Sequence, residues 1–146
     1  MRTPVSRRSA TQHRRHALDA ATADEHLCTH VHGTRQILER FASITKVIQV
    51  ASATGPEVAA LWRYDQDPPF VVRSAAAKAL VAKPGAREEV SAEYAADLLY
   101  AVLSPELYLV FVRDRGWSPR AWEEWAYRTL RGQLCASWPA ARDGQD

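Results

Sequence analysis

Two Ser-Pro pairs, fourteen residues apart, constrain the C-terminal half of this chain more than any other feature. Ser104-Pro105 and Ser118-Pro119 each precede a glutamate and an apolar segment with helical spacing. A serine hydroxyl accepts a bond from a backbone amide of the first helical turn, and proline suits the next position. Glu106 and Glu123 place negative charge near the positive ends of the two helix dipoles. The pattern therefore predicts two helix starts, with Gly116 as the stop between them.

The last helix, predicted over residues 119–135, has a clear apolar face. Its apolar residues recur at spacings of three and four, while charged residues occupy the rest of the circumference. This stripe contains Trp122, Trp125, Ala126, Leu130 and Leu134. Burying one tryptophan stabilises a fold by roughly 4–6 kcal/mol as an upper bound, so the helix is expected to pack against a broad surface.

The preceding helix, predicted over residues 92–103, is apolar nearly all round, with Asp97 as its interior charge. A helix without a polar face is buried on more than one side. It is therefore either a central helix or one shared with a partner subunit. Residues 107–112 fit a buried strand as well as a helix, and the Ser-Pro-Glu entry favours helix.

The first half of the chain contains weaker helical patterns. A helix is predicted from Thr34 to Ser52, and a second is predicted after Gly55-Pro56, with Thr54 as its cap. The prolines of Asp67-Pro68-Pro69 interrupt the pattern because each removes a backbone donor. A shorter helix is predicted from Phe70 to Ala82.

The 146-residue length and ordinary composition indicate one domain, over residues 31–136, between tails at 1–30 and 137–146. No uninterrupted apolar run approaches the ~18 residues of a membrane span, and no signal-peptide core follows the start. Two cysteines far apart in sequence indicate a reducing, cytoplasmic location. No nucleophile–base pair or phosphate-binding loop is recognised, so the sequence favours a protein that is not an enzyme and needs no cofactor.

The segment before residue 33 has two unusual compositions. The first sixteen residues contain five arginines and no acidic residue, which is typical of a solvated tail, with phosphate binding as the alternative. His26, Cys28, His30 and His32 are all metal-ligand types, but four adjacent ligands seldom close a tetrahedron. Adventitious binding is the better interpretation, and no metal site is predicted.

The C-terminal motifs together resemble the end of a tetracycline-repressor (TetR) family transcriptional regulator. The motifs are AADLLYAVLSPELY at 95–108, VRDRGWSP at 112–119, Trp122-Glu123 and Trp125. The resemblance is specific over 91–135 and weaker over 33–63. It implies an all-α helical bundle of about five helices, which binds an effector and forms homodimers through its last helices.

The resemblance also suggests roles for individual residues. A pocket for a small apolar effector would contain Phe41, Ile44, Val47, Ile48, Trp62, Leu103, Tyr108 and Phe111. A homodimer interface would contain Tyr94, Leu98, Ala101, Trp122, Trp125, Ala126 and Leu130; the apolar content of two helices in so short a chain favours the same interface. The family's helix-turn-helix pattern is not recognised, so DNA binding is expected only if another chain supplies it.

Two alternatives to this interpretation remain open at the level of sequence. In the first alternative, the chain is an interaction protein that forms mixed dimers with an intact regulator. In the second, it is a truncated remnant of a regulator. Direct nucleic-acid binding by the arginine-rich tail is a third hypothesis.

Overall fold

The computed structural model describes residues 15–17, 19–53 and 68–137, and within these ranges the fold is all-α, as predicted. Five helices follow one another along the described chain. They are α1 (Ala23–Ala53), α2 (Pro68–Val81), α3 (Ala92–Val102), α4 (Pro105–Leu109) and α5 (Pro119–Leu134), with a π-helical turn over Val110–Asp114 after α4. The proline pair that interrupts the sequence pattern forms the beginning of α2.

Both Ser-Pro pairs begin helices, which confirms the feature that organises the C-terminal half. The Ser104 hydroxyl accepts a hydrogen bond from the Leu107 amide at 3.2 Å. The Ser118 hydroxyl accepts one from the Ala121 amide at 3.1 Å. Gly116 separates the two helices with a φ of 74°, a conformation that costs glycine little because it has no Cβ.

The segment that fits either a helix or a strand is helical, as its capping motif indicates. After Leu109 the helix widens into the π-turn, and the Arg115 amide donates to the Val110 carbonyl at 3.0 Å. The Trp117 amide then donates to the Phe111 carbonyl at 2.9 Å. These bonds close the connection between α4 and α5 and hold Phe111 beside Trp117.

The predicted start of the first helix at Thr34 is wrong, because α1 begins at Ala23. Residues 23–30 therefore belong to the folded domain and not to a tail. Ala23, Leu27 and Val31 recur every four residues and are fully buried, but the polar histidines between them obscure this narrow stripe in the sequence. The Ala23 amide also donates to the Pro84 carbonyl at 2.9 Å, which ties this end of the helix to the loop after α2.

The predicted tails before residue 15 and after residue 137, and the predicted helix after Gly55-Pro56, lie outside the described residues. The boundaries proposed for the domain remain predictions at these places.

The core forms where α1 lies between α2 on one side and α4 and α5 on the other. Trp122 of α5 is 0% exposed, and its ring contacts Tyr108 edge-on with 5.0 Å between centroids. Ala126 and Leu130, one and two turns further along α5, are also fully buried. The assignment of Trp122, Ala126 and Leu130 to a dimer interface is therefore wrong, because α1 covers them within a single chain.

The segment Ala92–Asp114 is, by length and composition, apolar enough to cross a membrane. Asp97 and Ser104 break its apolar residues into runs shorter than a membrane span, but its mean hydropathy meets the criterion in spite of these breaks. One such segment is weak evidence for a span, because a core helix of a soluble protein meets the same criterion. Here Leu99, Leu103 and Leu109 of the segment are buried in the core.

Replacing Trp122 by alanine should destabilise a single chain. We expect Trp122→Ala to lower the free energy of unfolding by about 3–5 kcal/mol, because it leaves a cavity against Tyr108. The change should not depend on protein concentration in urea titrations followed by far-UV circular dichroism. Tyr94→Ala is the matched control: Tyr94 is 47% exposed, so the loss should stay within about 0.5 kcal/mol in the monomer. Equal effects of the two substitutions would contradict the core assignment of Trp122.

Candidate functional site

The residues predicted to form an effector pocket occupy different environments. Leu103 and Tyr108 are buried in the core, and Phe111 is half-buried against the Trp117 and Trp125 rings at 4.6 Å between centroids. The Ile48 side chain and Trp62 lie outside the described residues. The three other members of the set are Phe41, Ile44 and Val47, and all three are exposed. The described part of the chain therefore does not bring the whole set together.

The exposed members belong to an apolar stripe along the C-terminal half of α1. This stripe winds around the helix and consists of Ile37, Phe41, Ile44, Val47 and Val50, whose exposed fractions range from 41% to 69%. The helix has 31 residues and is therefore about 46 Å long. The residues of α1 identified as buried lie between Ala23 and Ala42, so the stripe begins beside the last of them and continues beyond them.

The residues predicted to form the dimer interface divide into an outer and an inner group. Tyr94 and Ala101 are exposed and Leu98 is half-buried, on the outer face of α3. Trp125 is half-buried in an aromatic cluster, where its ring lies 6.5 Å from that of Trp117 at nearly a right angle. Trp122, Ala126 and Leu130 of the predicted interface are buried in the core. The accessible members of the predicted interface are therefore those on the outer face of α3.

A polar cluster that the sequence analysis did not identify joins α1 to α2 and to the end of α3. The Arg73 guanidinium donates to His30 Nε2 at 2.7 Å and to Thr34 Oγ1 at 3.1 Å. It also reaches the Leu103 carbonyl at 3.5 Å. Burial lowers the pKa of Arg73 to about 10, which leaves it charged at neutral pH. Since guanidinium only donates, His30 accepts with a neutral ring.

A second set of polar contacts joins α1 to α5. Glu123 accepts hydrogen bonds from Arg35 and from His32 Nδ1, the latter at 2.8 Å. Glu123 is expected from the sequence to stabilise the positive end of the α5 helix dipole, but it lies beyond the first turn of α5. Its carboxylate pairs with Arg35 and His32 of α1 instead. One turn further along, Asp24 accepts from the Tyr127 hydroxyl at 2.6 Å.

Asp24 also accepts from Arg131 Nε at 2.8 Å. The pKa of Tyr127 is raised to about 12, first by burial and then by its hydrogen bond to the Asp24 carboxylate. Tyr127 therefore keeps its proton and remains a donor throughout the physiological range. The sequence contained no signal for this contact, because more than one hundred residues separate its partners.

The helical backbone of α1 distributes the metal-ligand residue types of the His-rich stretch among different neighbours. His30 contacts Arg73 and His32 contacts Glu123, while Cys28 is exposed. Among the residues that the structure describes, no group of three or more potential ligands is placed to hold a metal ion.

An open groove of about 680 Å³ lies at the N-terminal side of α1. Its lining consists of His16, Asp19, Ala20, Ala21, Glu25 and Thr29. The Glu25 carboxylate already accepts a hydrogen bond from the Ala21 amide at 3.0 Å, which leaves it less available to a molecule in the groove. The groove does not include any residue predicted to bind an effector, and its breadth offers little enclosure for a small molecule.

His26 is a buried base whose two ring nitrogens make no hydrogen bond of normal geometry. Its ring stacks on His30 with 6.3 Å between centroids. Burial lowers the pKa of His26 below that of a free histidine; the Ala17 backbone opposes this shift, and the nearby charge of Lys83 adds to it. The folded state therefore disfavours the imidazolium form.

This placement predicts a loss of stability in acid. Above about pH 6.5 the ring is neutral in both states, but as the pH falls the unfolded chain binds the proton first. The free energy of unfolding should therefore fall below pH 6.5, and His26→Leu should reduce that slope by at most about 1.4 kcal/mol per pH unit. Urea titrations at pH 7.5 and 5.5 measure the difference. Leu27→Val, which changes a neighbouring buried side chain without a titratable group, is the control and should keep the wild-type slope; an equal slope in His26→Leu would contradict the prediction.

Comparisons with protein-family models, with curated proteins and with solved structures return no match. The likeness to TetR regulators therefore rests on the C-terminal motifs, and the structure adds the helices and the surfaces on which those motifs lie.

Proposed function

We propose that this chain is a homodimerising, effector-sensing domain of the TetR regulator kind. The proposal is carried by the hairpin of residues 92–134, in which both Ser-Pro motifs cap helices and the connection turns at a left-handed glycine. These positions fall within the motifs on which the resemblance rests, and this supports the proposal. The domain acts by binding, in a cytoplasmic setting, and no catalytic step is proposed.

Homodimerisation is supported by the outer face of α3. Tyr94, Leu98 and Ala101 lie on successive turns and present apolar surface outward, and Asp97 is the charged residue among them. Exposed apolar surface of this kind is typical of protein interfaces. Trp122 of α5 is already buried within a single chain. The dimer that we propose therefore joins subunits that are folded before they associate.

Effector sensing is supported by the apolar stripe of α1. A small apolar molecule that covers Phe41 and Ile44 would gain affinity mainly from the apolar area removed from water. α1 also contacts α2, α4 and α5, so the helix that binds the effector is the one that touches most of the described fold. A ligand shifts a conformational equilibrium only if it binds two states with different affinity, and α1 is placed to differ between them.

DNA recognition is assigned to a helix-turn-helix outside this domain. Many of the basic side chains in the described part of the chain pair with carboxylates: Arg35 with Glu123, Arg131 with Asp24, and Arg128 with Glu124. Paired arginines are less available to neutralise phosphates. This supports a sensing and dimerising role for the part that the structure describes.

The effector surface is testable with a fluorescent apolar probe. We expect 1-anilinonaphthalene-8-sulfonate to bind the stripe, and Phe41→Ser to weaken its affinity roughly threefold to tenfold by removing aromatic contact area. Val71→Ser is the matched control, because Val71 is an exposed apolar residue on α2. Equal weakening by both substitutions, measured by fluorescence titration, would show that the probe binds apolar surface without preference for the stripe.

Self-association is tested separately by sedimentation equilibrium. At micromolar concentration the proposed dimer should have twice the mass of the chain, and Tyr94→Ala should shift the equilibrium toward the monomer because Tyr94 is a large exposed contact. Circular dichroism should confirm that the variant keeps its helical content. A wild-type chain that stays monomeric at these concentrations would exclude homodimerisation.

A further inference from the structure

The hairpin of residues 92–134 has two well-separated ends. At one end the segment before α3 is bonded to the end of α5: the Arg87 amide donates to the Leu134 carbonyl at 2.9 Å, and the Ala136 amide donates to the Gly85 carbonyl at 2.8 Å. At the other end, residues 115–118 connect the π-turn directly to α5. The 16 residues of α5 span about 24 Å, which sets the distance between the ends.

One end of the hairpin is acidic. Exposed carboxylates lie just before α3 and along its first turns, and together they form the acidic end: Glu88, Glu89, Glu93 and Asp97. Arg87 contacts Glu89 at 3.4 Å. Its guanidinium also donates hydrogen bonds to the backbone carbonyls of Gly132 and Cys135, so only part of its hydrogen bonding is directed at the carboxylates. Negative charge therefore dominates this end of the hairpin.

The opposite end is basic and partly apolar. Exposed arginines flank the glycine turn and form the basic end: Arg113, Arg115 and Arg120. Asp114 pairs with Arg113 at 2.6 Å and offsets part of this charge. Trp117, which is 37% exposed, and Val110 lie among these arginines. Exposed tryptophan and arginine together are the residue types that contribute most to protein–protein affinity.

The two ends do not neutralise each other within one chain. Their separation of about 24 Å is roughly three Debye lengths at physiological ionic strength, so their attraction through solvent is largely screened. Charges of opposite sign gain most when they come into contact. A second copy of the chain, laid along the hairpin in the opposite direction, brings each acidic end to a basic end.

We propose that two copies of this chain pair antiparallel along residues 88–120, with the acidic end of each against the basic end of the other. The inference rests on the homodimerisation proposed above and specifies its register. A two-fold axis makes every contact occur twice, so both pairs of ends are satisfied by one arrangement. The outer face of α3 adjoins the acidic end, because Tyr94 and Leu98 alternate with Glu93 and Asp97, and the same pairing covers it.

A second copy fits this surface better than a nucleic acid does. The arginines of the basic end would attract phosphates, but a strand that continued along α3 would meet Glu93 and Asp97. Like charges at a contact weaken binding and suppress the wrong partner. A partner whose positive charges meet the acidic end and whose negative charges meet the basic end complements the whole surface. A second copy of this chain, related by a two-fold axis, has its charges in that order.

Charge reversal at the two ends tests this register. We expect Glu93→Arg and Arg115→Glu each to weaken self-association by roughly threefold to tenfold at low salt, because each replaces two favourable contacts by repulsive ones. The double variant, in which the two signs are exchanged, should recover at least half of that loss on a logarithmic scale. Sedimentation equilibrium at low and high salt measures all four dissociation constants, and high salt should reduce the differences.

Lys78→Glu is the matched control, because it reverses an exposed charge on α2, outside residues 88–120. It should leave the dissociation constant unchanged, and circular dichroism should show that every variant is folded. A stable dimer that both single reversals leave intact, or a double variant that recovers nothing, would overturn the register but not the dimer. A wild-type chain that remains monomeric would overturn both.

Discussion

The fold depends on the contact between the first half of α1 and the inner face of α5. Trp122 is the largest of the completely buried side chains, and its cover comes from Tyr108 and from the helix that begins at Ala23. Burial of the Trp122 ring removes a large apolar area from water, which stabilises the fold. His32 and Arg35, from the middle of α1, pair with Glu123, the residue that follows Trp122.

Polar contacts fix the register of the same helices on both sides of this core. Asp24 and Glu123 hold α5 against α1, and Arg73 holds α2 against α1 through His30. The contacts that leave their groups partly exposed contribute little each, whereas removing one partner of a buried group leaves the other without compensation. Their main effect is therefore to make one packing arrangement preferable to its neighbours. The result is a central helix with defined neighbours at its first half and an exposed apolar stripe from Ile37 to Val50.

Local signals in the sequence were sufficient to predict the hairpin. Serine, proline and glycine act within a few residues of themselves, so the starts at Ser104 and Ser118 and the stop at Gly116 were readable directly. The start of α1 could not be predicted in this way. Its buried apolar residues recur only every fourth position and alternate with histidines, which gives a weak periodic signal. With residues 23–30 assigned to a tail, the contact between Asp24 and Arg131 of α5 could not be predicted either. The Arg73 and Asp24 contacts depend on tertiary packing and had no local signal at all.

The separation of core and surface on these helices also constrains how the proposed sensing and pairing are related. α1 carries both core residues and the exposed apolar stripe, so an effector bound to the stripe, as proposed, would act on the element that contacts α2, α4 and α5. The pairing surface lies on α3 and around Trp117, and it meets the core through Leu103 and Phe111. A shift of α1 would therefore reach the paired surface through side chains in direct contact, without a change in secondary structure. Coupling of this kind requires two packing states that differ at both surfaces, and a dimer whose affinity did not change on effector binding would lack them.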